Sequence, residues 1–312
     1  MKSTSPVSFS VIIPNYNHAA FLPEALDSVV TQSHPAEDIY VIDDASTDQS
    51  VEIIRSYVQR YPRVHLIRKE KNCGVIANIN EFLPQVRSTY VFLLAADDYL
   101  CPGCFERAHA LLSQHPNAGF CAADISDLSP DGTRKRCSYG LSAAPAYFSP
   151  DRVPKVIRGR GIVGQGFFAT EPLRQMGGFP ESLRWHTDHF VCWVLAARHG
   201  LGYVPEVGGV FRKLPTAYSA QGMQGKGHQE VLANSLDYLH RPDLADVKAS
   251  LRDGHALAVF DEGLFSLLWR NPRNRYFLTP SFVARLVLRS IRRRIRHPVP
   301  PQLKQWFRRK KK

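Results

Sequence analysis

The sequence predicts an α/β fold, in which a doubly wound, mostly parallel sheet is followed by a C-terminal helical extension. Three observations predict it. The first half of the chain alternates short apolar runs with segments of helical spacing, the pattern of strands joined by helices. The last third shows helical spacing without strand-like runs. The 312 residues are 44% hydrophobic and 22% charged, as in globular proteins, and no apolar run approaches the roughly 18 to 20 residues of a membrane span.

The first half contains five predicted strands and four predicted helices. The strands are predicted at residues 8–14, 39–42, 64–67, 90–95 and 119–123. The helices are predicted at residues 21–31, 46–58, 75–86 and 104–113. Ser46 and Gln49 have the spacing of a capping box at the start of the second helix. Residues 129–132, Ser-Pro-Asp-Gly, predict a turn after the fifth strand.

The second half is less regular. Residues 133–160 are predicted as loop because they contain several prolines and no clear period. A strand is predicted at residues 163–169 and a strand pair at 202–212. Short helices are predicted at 171–176, where Gly177 and Gly178 end the helix, and at 187–198. Longer helical segments are predicted at 228–240 and 244–269.

Positive charge is concentrated at the C-terminus. Fifteen Lys and Arg residues follow Glu262 without any Asp or Glu, so the first 262 residues carry 25 basic and 28 acidic residues. Residues 281–296 predict a helix in which Arg residues interleave with apolar ones, and aromatic and basic residues follow it. The apolar residues of this helix include Phe282, Val283, Leu286, Val287, Ile291 and Ile295.

Three interpretations of this basic tail are open. Aromatic residues beside cations favour docking on an anionic membrane surface without spanning it. A solvated tail is the second interpretation. Nucleic-acid binding is the third and is not expected, because no recognition module accompanies the charge. Six cysteines are too few for a disulfide scaffold and polar residues 1–6 do not resemble a signal peptide, so a cytoplasmic location is expected.

Acidic residues recur where two predicted strands end. Asp43 and Asp44 end the second strand, and Asp97 and Asp98 follow the fourth. The carboxyl ends of parallel strands hold the ligand in doubly wound sheets. Two carboxylate pairs facing one crevice need a cation or a ligand rich in hydrogen-bond donors between them. The alternatives are a polar turn with a helix cap, or a receiver domain, which would need an acceptor Asp where the third strand instead meets basic residues.

Five segments together closely resemble family 2 glycosyltransferases, which have the GT-A fold. The segments are Ser10-Val-Ile-Ile-Pro-Asn-Tyr-Asn17, Val41-Ile-Asp-Asp-Ala-Ser-Thr-Asp48, Asn72-Cys-Gly74, Phe92-Leu-Leu-Ala-Ala-Asp-Asp98, and an acceptor-side pair, Met176-Gly-Gly-Phe179 with Trp185-His-Thr-Asp188. The resemblance covers about residues 8–215. Each segment alone is weakly specific, but their order along the chain is highly specific.

The resemblance implies an inverting enzyme that moves a sugar from a nucleoside-diphosphate sugar to an acceptor hydroxyl. It implies that Asp44 contacts the base, Asp97 the ribose, and Asp98 a divalent cation, Mg²⁺ or Mn²⁺, on the diphosphate. It implies that Asp188 is the general base. The donor-binding residues that it implies are Pro14, Asn15, Tyr16, Asp43, Asp44, Asn72, Gly74 and Asp97. The expected context is assembly of cell-envelope polysaccharide or glycolipid at the inner face of the plasma membrane, with a saccharide or lipid-linked acceptor.

The sequence departs from the family pattern at three positions. Ala95 replaces the first Asp of the common Asp-x-Asp-Asp motif, which predicts weaker metal binding. Ile79 stands where an Arg is common, and Thr187 stands where an acidic residue often precedes the base. Ala95 also leaves open a non-catalytic nucleotide-sugar-binding partner subunit. A plain helix N-cap is the alternative role for Asp188.

Two other motifs are weak, and one related enzyme class is disfavoured. Residues 159–164 fit G-x-G-x-x-G but do not lie within a βαβ unit, so a dinucleotide site is not expected. Cys101 and Cys104 form a lone C-x-x-C, which favours incidental buried thiols over a zinc or redox site. A nucleotidyltransferase would need a Gly-rich phosphate loop after the first strand, and residues 15–17 are not glycine-rich.

The resemblance and the charge distribution divide the chain into three predicted regions. Residues 1–215 are predicted to form the GT-A domain, with a nucleotide-sugar half at about 1–125 and an acceptor half at about 126–215. Residues 216–272 are predicted to form a helical extension, and residues 273–312 a basic amphipathic tail.

Overall fold

The computed structural model describes residues 6–162, 165–225 and 227–296, which form ten strands and twelve α-helices. The strands are β1 (Phe9–Asn15), β2 (Asp38–Asp43), β3 (Val64–Arg68), β4 (Tyr90–Leu93), β5 (Tyr99–Leu100), β6 (Phe120–Leu128), β7 (Arg134–Cys137), β8 (Ala146–Phe148), β9 (Gly166–Ala169) and β10 (Leu201–Arg212). The helices are α1 (Leu22–Val30), α2 (Ser50–Arg60), α3 (Val75–Phe82), α4 (Cys104–Gln114), α5 (Val153–Ile157), α6 (Thr170–Gln175), α7 (Thr187–His199), α8 (Tyr218–Gln224), α9 (His228–Leu239), α10 (Ala245–Asp253), α11 (Asp261–Arg270) and α12 (Pro280–Arg296). Short 3₁₀ segments lie at Leu83–Gln85, Glu181–His186, Pro242–Leu244, Ala256–Phe260 and Pro272–Phe277.

All strands belong to one sheet, in the order β3-β2-β1-β4-β9-β6-β10-β5, with β7 beside β6 and β8 beside β10. β1 to β4 are mutually parallel, and β6 runs parallel to β10. The predicted fifth strand, β6, is not the neighbour of β4, because β9 lies antiparallel between them. Gly166 permits this insertion, since a Cβ there would lie 2.5 Å from the carbonyl oxygen of Cys121.

Apolar clusters cover both faces of the sheet. One cluster joins Leu26 of α1, Ile54 of α2 and Leu112 of α4 to the strands. The other joins Phe82 of α3 and Trp193 of α7 to the strands and to the C-terminal helices. Helices on both faces of a mostly parallel sheet confirm the doubly wound architecture. The predicted strands and helices of the first half are present, and the turn at residues 129–132 joins β6 to β7, with Gly132 donating its N–H to the Ser129 carbonyl.

Several predictions for the second half were wrong. Residues 133–160 are not a continuous loop, since β7, β8 and α5 lie there. β7 was missed because its residues are mostly exposed and polar, and it is held by pairing with β6. Residues 202–212 form one long strand, β10, instead of a pair. Its pairing with β6 shifts between Val204 and Val207, where Pro205 has no N–H to donate.

Other boundaries also differ from the prediction. The predicted helix at 244–269 is broken near Gly254 and His255, where His255 has φ +49°, and it divides into α10, a 3₁₀ segment and α11. The capping box at Ser46 is absent, because α2 begins only at Ser50. The predicted strand at 163–169 is present as β9, and its first two residues, 163 and 164, lie outside the described residues. The predicted helix at 281–296 is confirmed as α12.

Within the described ranges, no helix is both long and apolar enough to cross a bilayer.

Candidate active site

The carboxyl ends of three neighbouring parallel strands form one edge of the sheet. β1 ends at Asn15 and β2 at Asp43, and these two residues are partners in the strand ladder. β4 ends at Leu93 on the other side of β1, so the loop that carries Asp97 and Asp98 begins at the same edge. This edge is where doubly wound sheets bind their ligands.

Asp43 is fully buried, and the chain itself uses both of its carboxylate oxygens. Oδ2 accepts a hydrogen bond from Nδ2 of Asn15 at 2.8 Å, and Oδ1 accepts one from the N–H of Ser46 at 3.0 Å. The hydroxyl of Ser46 also accepts from Nδ2 of Asn15 at 3.1 Å and from the N–H of Asn17 at 3.0 Å. The buried carboxylate of Asp43 therefore holds together the loops that follow β1 and β2, and it offers no free oxygen at the surface.

Asp44 joins the end of β2 to the loop that precedes α3. Its Oδ1 accepts from the N–H of Cys73 at 2.8 Å, and its Oδ2 accepts from the N–H of Gly74 at 2.9 Å. Gly74 has φ +89°, a conformation that favours glycine, while a Cβ there would meet nothing within 4 Å. The structure thus brings the second and third sequence motifs together, and it leaves Asn72 exposed beside them.

Tyr16 presents its side chain at this edge and is 45% exposed. The next residue, Asn17, has φ +57°, and its Oδ1 accepts from the N–H of Thr47 at 2.8 Å, which ties the turn after β1 to the loop after β2. Pro14 lies within β1, paired with Ile42, and is partly buried. The ring of Tyr16 is therefore the accessible aromatic surface at this edge, suited to stacking on a planar group.

Asp97 and Asp98 differ in accessibility. Asp98 is 8% exposed, its Oδ1 accepts from the N–H of Arg212 at 2.8 Å, and its Oδ2 accepts from Nε2 of Gln165 at 3.0 Å. Burial, reinforced by the charge of Asp97, raises the pKa of Asp98 to about 7. Asp97 is only partly buried, and Ala95 is exposed at the start of the same loop. The loop therefore combines a buried, destabilised carboxylate with a more accessible one.

Sequence reasoning missed two residues that hold this loop in place. The guanidinium of Arg212 donates to the carbonyl oxygen of Asp97 at 2.5 Å and also bonds to Glu24 of α1. Arg212 ends β10, and Gln165 lies just before β9, so both reach the loop from strands distant in the sequence. Neither residue belongs to a motif, and nothing local in the sequence marks either one.

The paired carboxylates are compatible with a divalent cation that is shared with substrate phosphates. In the part of the chain that the structure describes, no group of three or more His, Cys, Asp or Glu side chains is arranged to hold a metal by itself. Mg²⁺ is commonly bound by one or two carboxylates completed by substrate phosphates and water. A cation beside Asp97 and Asp98 would also offset the burial and like-charge repulsion that raise the pKa of Asp98.

Asp188 lies at the start of α7, and 37% of its side chain is exposed. Its Oδ1 accepts from the N–H of His189 at 2.7 Å and lies 3.7 Å from Nδ1 of the same residue. Burial opposes ionisation of Asp188, but the hydrogen bonds and charge of His189 and the charge of His186 lower its pKa overall. The N-cap alternative is wrong, because His186 occupies the N-cap position and Asp188 is the second residue of the helix.

A cluster of imidazoles surrounds this helix start. The ring centroid of His186 lies 6.4 Å from that of His189 and 5.2 Å from that of His228. His186 is buried, and within the described residues neither of its ring nitrogens has a hydrogen-bond partner. Burial, together with the charges of His189 and His228, lowers its pKa to about 4, so the ring is neutral at pH 7. Trp185 stacks on His228 and donates from Nε1 to its Nδ1 at 3.3 Å.

A reciprocal amide contact links the strand-end half of the site to the Asp188 half. Asn80 of α3 donates from Nδ2 to the carbonyl oxygen of Phe179 at 2.7 Å and accepts at Oδ1 from the N–H of Phe179 at 2.8 Å. Gly178 has φ +76°, and a Cβ there would lie 2.4 Å from Oδ1 of Asn80. The Met176–Phe179 motif therefore docks the segment before α7 onto α3. Among the described residues, Asp188 itself makes no hydrogen bond or ion pair with the strand-end carboxylates.

Neither weak motif shows a ligand-binding geometry in its described residues. The described part of the G-x-G-x-x-G segment precedes β9, not a helix, and its last two residues, 163 and 164, lie outside the described residues. Cys104 is buried at the start of α4, where burial raises the pKa of its thiol to about 12, and both Cys101 and Cys104 are free. These facts agree with the prediction of incidental thiols.

Comparison with known proteins gives a consistent family match. Residues 10–158 match the family described as glycosyl transferase family 2. A stretch of 124 residues, 40% of this chain, is 30% identical to 49% of the putative teichuronic acid biosynthesis glycosyltransferase TuaG of Bacillus subtilis. A stretch of 111 residues, 35% of this chain, is 35% identical to 12% of the minor teichoic acid biosynthesis protein GgaB of the same organism. The chain thus spans less than half the length of these two relatives.

Solved structures show the same fold at low identity. A crystal structure of S. aureus TarS, residues 1–349, in complex with UDP-GlcNAc superposes with a TM-score of 0.66 at 17% identity, covering 89% of this chain and 79% of that one. The mannosyltransferase PcManGT from Pyrobaculum calidifontis, in complex with GDP-Man and Mn²⁺, superposes with a TM-score of 0.54 at 18% identity, covering 93% and 89%. This likeness confirms the GT-A fold.

Proposed function

We propose that the chain, whose residues 10–158 match glycosyl transferase family 2, is an inverting glycosyltransferase that uses a nucleoside-diphosphate sugar. The observation that carries the proposal is the gathering of Asp44, Tyr16, Asp97 and Asp98 at the carboxyl edge of β1, β2 and β4. A nucleoside diphosphate with a divalent cation suits this arrangement: a planar base for the ring of Tyr16, ribose hydroxyl donors for Asp97, and a cation on the diphosphate for Asp98.

The proposed donor position follows from the accessibility of each group. The base stacks on the exposed ring of Tyr16, and the loop that Asp44 holds through Cys73 and Gly74 lies beside the base. Asp97 faces the ribose, and Asp98, supported by Gln165 and the N–H of Arg212, contributes the buried carboxylate for the cation. When bound, a divalent cation supplies positive charge that stabilises the departing diphosphate.

Asp188 is the proposed general base. Its lowered pKa keeps the carboxylate ionised at pH 7 and able to receive the proton of an acceptor hydroxyl. As that proton moves to Asp188, the acceptor oxygen forms a bond to the anomeric carbon. The bond from that carbon to the diphosphate oxygen breaks, and the nucleoside diphosphate leaves with the electron pair. A single displacement of this kind inverts the anomeric configuration.

The proposed context is assembly of cell-envelope polysaccharide or glycolipid. TuaG and GgaB are named for teichuronic and teichoic acid biosynthesis. The proposed acceptor is a saccharide or a lipid-linked saccharide, and the proposed location is the cytoplasmic face of the plasma membrane, reached through the basic C-terminal region. Predicted regions 1–215, 216–272 and 273–312 are retained as the proposed division of the chain into a catalytic domain, a helical extension and a basic C-terminal region.

A panel of nucleotide sugars tests this proposal against the non-catalytic alternative that Ala95 keeps open. Thermal shift with UDP-, GDP- and dTDP-sugars, each with Mn²⁺ or with EDTA, identifies the donor, and release of the nucleoside diphosphate then reports turnover. We expect Mn²⁺-dependent turnover that Asp98→Ala removes while the fold is retained. Binding without hydrolysis or transfer to any acceptor would favour a nucleotide-sugar-binding partner subunit, and full activity in EDTA would exclude the cation.

A further inference from the structure

Exposed apolar side chains are concentrated near the C-terminus. Nine large hydrophobic residues are exposed within the described ranges, and five of them lie between residues 265 and 288. They are Phe265, Trp269, Tyr276, Val287 and Leu288, with exposures of 37%, 60%, 39%, 52% and 57%. The rings of Phe265 and Trp269 stack at 6.2 Å between centroids on α11, and Val287 and Leu288 are consecutive on α12, the helix that contacts α11. Solvent-facing groups of this size mark an interaction surface.

The opposite side of α12 is already used by the protein core. Phe282 is 1% exposed, and Leu286 packs against the same core cluster. Arg285 donates from Nη1 to the carbonyl oxygen of Arg158 at 2.7 Å, and Arg289 donates to that of Ala258 at 2.6 Å. The prediction that the apolar face of this helix meets a membrane is therefore partly wrong, because Phe282 and Leu286 of that face pack against the protein core.

The surroundings of the exposed residues are positively charged. Arg270, which follows Trp269 in the chain, and Arg273 are both exposed, and the guanidinium of Arg275 lies 5.7 Å from the Trp269 ring centroid. The sequence contains no Asp or Glu after Glu262. Aromatic and aliphatic side chains interleaved with cations match the interface of an anionic bilayer, where rings sit at the headgroup level and cations meet phosphates. Two copies of this surface would bring like charges together, which disfavours a self-complementary dimer.

We propose that Phe265, Trp269, Val287 and Leu288, here called the C-terminal apolar surface, insert into the headgroup region of an anionic membrane. Arg270 and Arg273 then contact lipid phosphates, while Phe282 and Leu286 remain inside the protein. The inference refines the membrane partner given under the proposed function and names the side that meets the lipid. It adds α11 to the predicted membrane-binding tail, and it makes α12, which lies within that tail, part of a folded docking element.

Vesicle sedimentation of the full chain tests the proposal. The probes are vesicles of phosphatidylglycerol with phosphatidylcholine and vesicles of phosphatidylcholine alone, with UDP and GDP affinity measured on the same samples. Trp269→Ser combined with Leu288→Ser is expected to lower partition to anionic vesicles by about tenfold or more, because each removes a large apolar group from the inserted surface. Val58→Ser combined with Met223→Ser is the matched control, since these residues are 37% and 49% exposed elsewhere on the protein.

The outcomes separate this inference from the proposed function. Partition lost in the Trp269/Leu288 variant and kept in the control, with nucleotide affinity equal in both, supports the C-terminal apolar surface whether or not transfer activity is found. Unchanged partition of the Trp269/Leu288 variant would overturn it. The proposal would also be overturned if this variant still partitioned to the vesicles but a chain ending at Arg296 did not, because residues 297–312 would then be the part that binds the lipid. If the full chain formed concentration-dependent oligomers and Trp269→Ser abolished them, the surface would instead be assigned to self-association.

Discussion

Asp98 and Asp188 are carboxylates whose surroundings move their pKa values in opposite directions. Burial, with the neighbouring charge of Asp97, raises the pKa of Asp98 to about 7. Burial also opposes ionisation of Asp188, yet hydrogen bonds and the charge of His189 lower its pKa overall. Opposed shifts are the pattern expected where two carboxylates have different functions. Asp98 is a group that a cation would stabilise, and Asp188, the proposed general base, is a group that stays ionised.

Asp98→Asn is expected to stabilise the protein in EDTA. Because the pKa of Asp98 is raised in the folded state, its ionised form costs free energy at pH 8, and this cost disappears as the pH falls through 7 towards the unfolded value near 4. Asparagine keeps the acceptor for the Arg212 N–H, and a rotated Gln165 amide can offer its oxygen. We expect a gain of about 1–3 kcal/mol in the free energy of unfolding at pH 8 and little gain at pH 4.5. Denaturant titration at both pH values measures it, and equal gains would contradict the assigned cause.

Asp188→Asn is expected to abolish turnover while sparing donor binding. Asparagine has nearly the same size and can still accept the N–H of His189, but it cannot take a proton at neutral pH. The usual scale for losing a positioned general base is a loss of about a hundredfold or more in turnover. Calorimetry with the nucleoside diphosphate and a turnover assay separate the two effects. Near-normal turnover would place the base elsewhere.

At the residue scale, the sequence predicts side chains that stand in local patterns and misses those that arrive from a distance. Asp44 and Asp98 could be singled out because each belongs to an acidic pair at a strand end. Gln165 and Arg212 hold Asp98 from 67 and 114 residues away, through hydrogen bonds that only the sheet order β9-β6-β10 creates. Asp43 was predicted to contact the donor, and the structure places it below the surface as a support for Asn15.

At the element scale, the Asn80 contact holds the segment before α7 against α3. α3 carries Asn80, which exchanges two hydrogen bonds with Phe179. Phe179 precedes the 3₁₀ segment Glu181–His186, and α7 with Asp188 follows directly. A shift of the Gly178 turn would therefore move Asp188 relative to the strand ends.

Gly178→Ala is expected to destabilise the protein more than Gly177→Ala. Both residues have positive φ, +76° and +88°, so both substitutions add backbone strain. Only at Gly178 would the new Cβ meet another group, Oδ1 of Asn80 at 2.4 Å, while nothing lies within 4 Å at Gly177. We expect Gly177→Ala to cost about 1 kcal/mol and Gly178→Ala about 1–3 kcal/mol more, since it also disrupts the partly buried hydrogen bonds between Asn80 and Phe179. Thermal and denaturant unfolding compare the two, and equal losses would show that the contact with Asn80 is unimportant.

Elements with an internal hydrophobic period could be predicted, and elements held by their neighbours could not. α1 and α2 place apolar residues at helical spacing, and the core buries those positions. β7 has no such period, and it is anchored when Arg136 pairs with the buried Asp124 at 2.9 Å. Residues 202–212 were predicted as a strand pair, yet β10 is one strand that continues past Pro205 through a shift in its pairing with β6. The position of β7 and the continuity of β10 depend on pairing with β6, which is distant in the sequence and leaves no local pattern.

At the scale of the whole molecule, the C-terminal helices share a core with the sheet. Phe277 and Phe282 are each 1% exposed and belong to the same apolar cluster as Ile12 of β1 and Phe168 of β9. Asn274 is buried beside them, and its Oδ1 bonds at 2.7 Å to Nε2 of His240, the residue that follows α9. The proposed boundary between residues 272 and 273 therefore passes through this cluster, so the chain after residue 272 has two parts: a packed portion that includes Phe282 and Leu286, and a final basic run.

Two truncations are expected to differ sharply because of this division. A chain ending at Arg296 keeps every residue of the apolar cluster and loses only the last 16 residues, six of them basic. We expect its unfolding midpoint to stay close to that of the full chain, since no described core contact is removed. Circular dichroism during heating measures both the helix content and the midpoint.

A chain ending at Asn271 loses Phe277 and Phe282 from the core and leaves His240 without its partner Asn274. Removing one buried phenylalanine side chain typically costs about 3–5 kcal/mol, so two such losses approach or exceed the roughly 5–15 kcal/mol that stabilises a whole domain. This chain should therefore unfold without a cooperative transition or be recovered only as aggregates. We expect this even though the truncation also removes the exposed apolar residues Val287 and Leu288. Cooperative unfolding near the midpoint of the full chain would show that residues 272–296 are an independent appendage. In that case α12 would not be part of the folded body, and the orientation assigned to Phe282 and Leu286 would have to be abandoned.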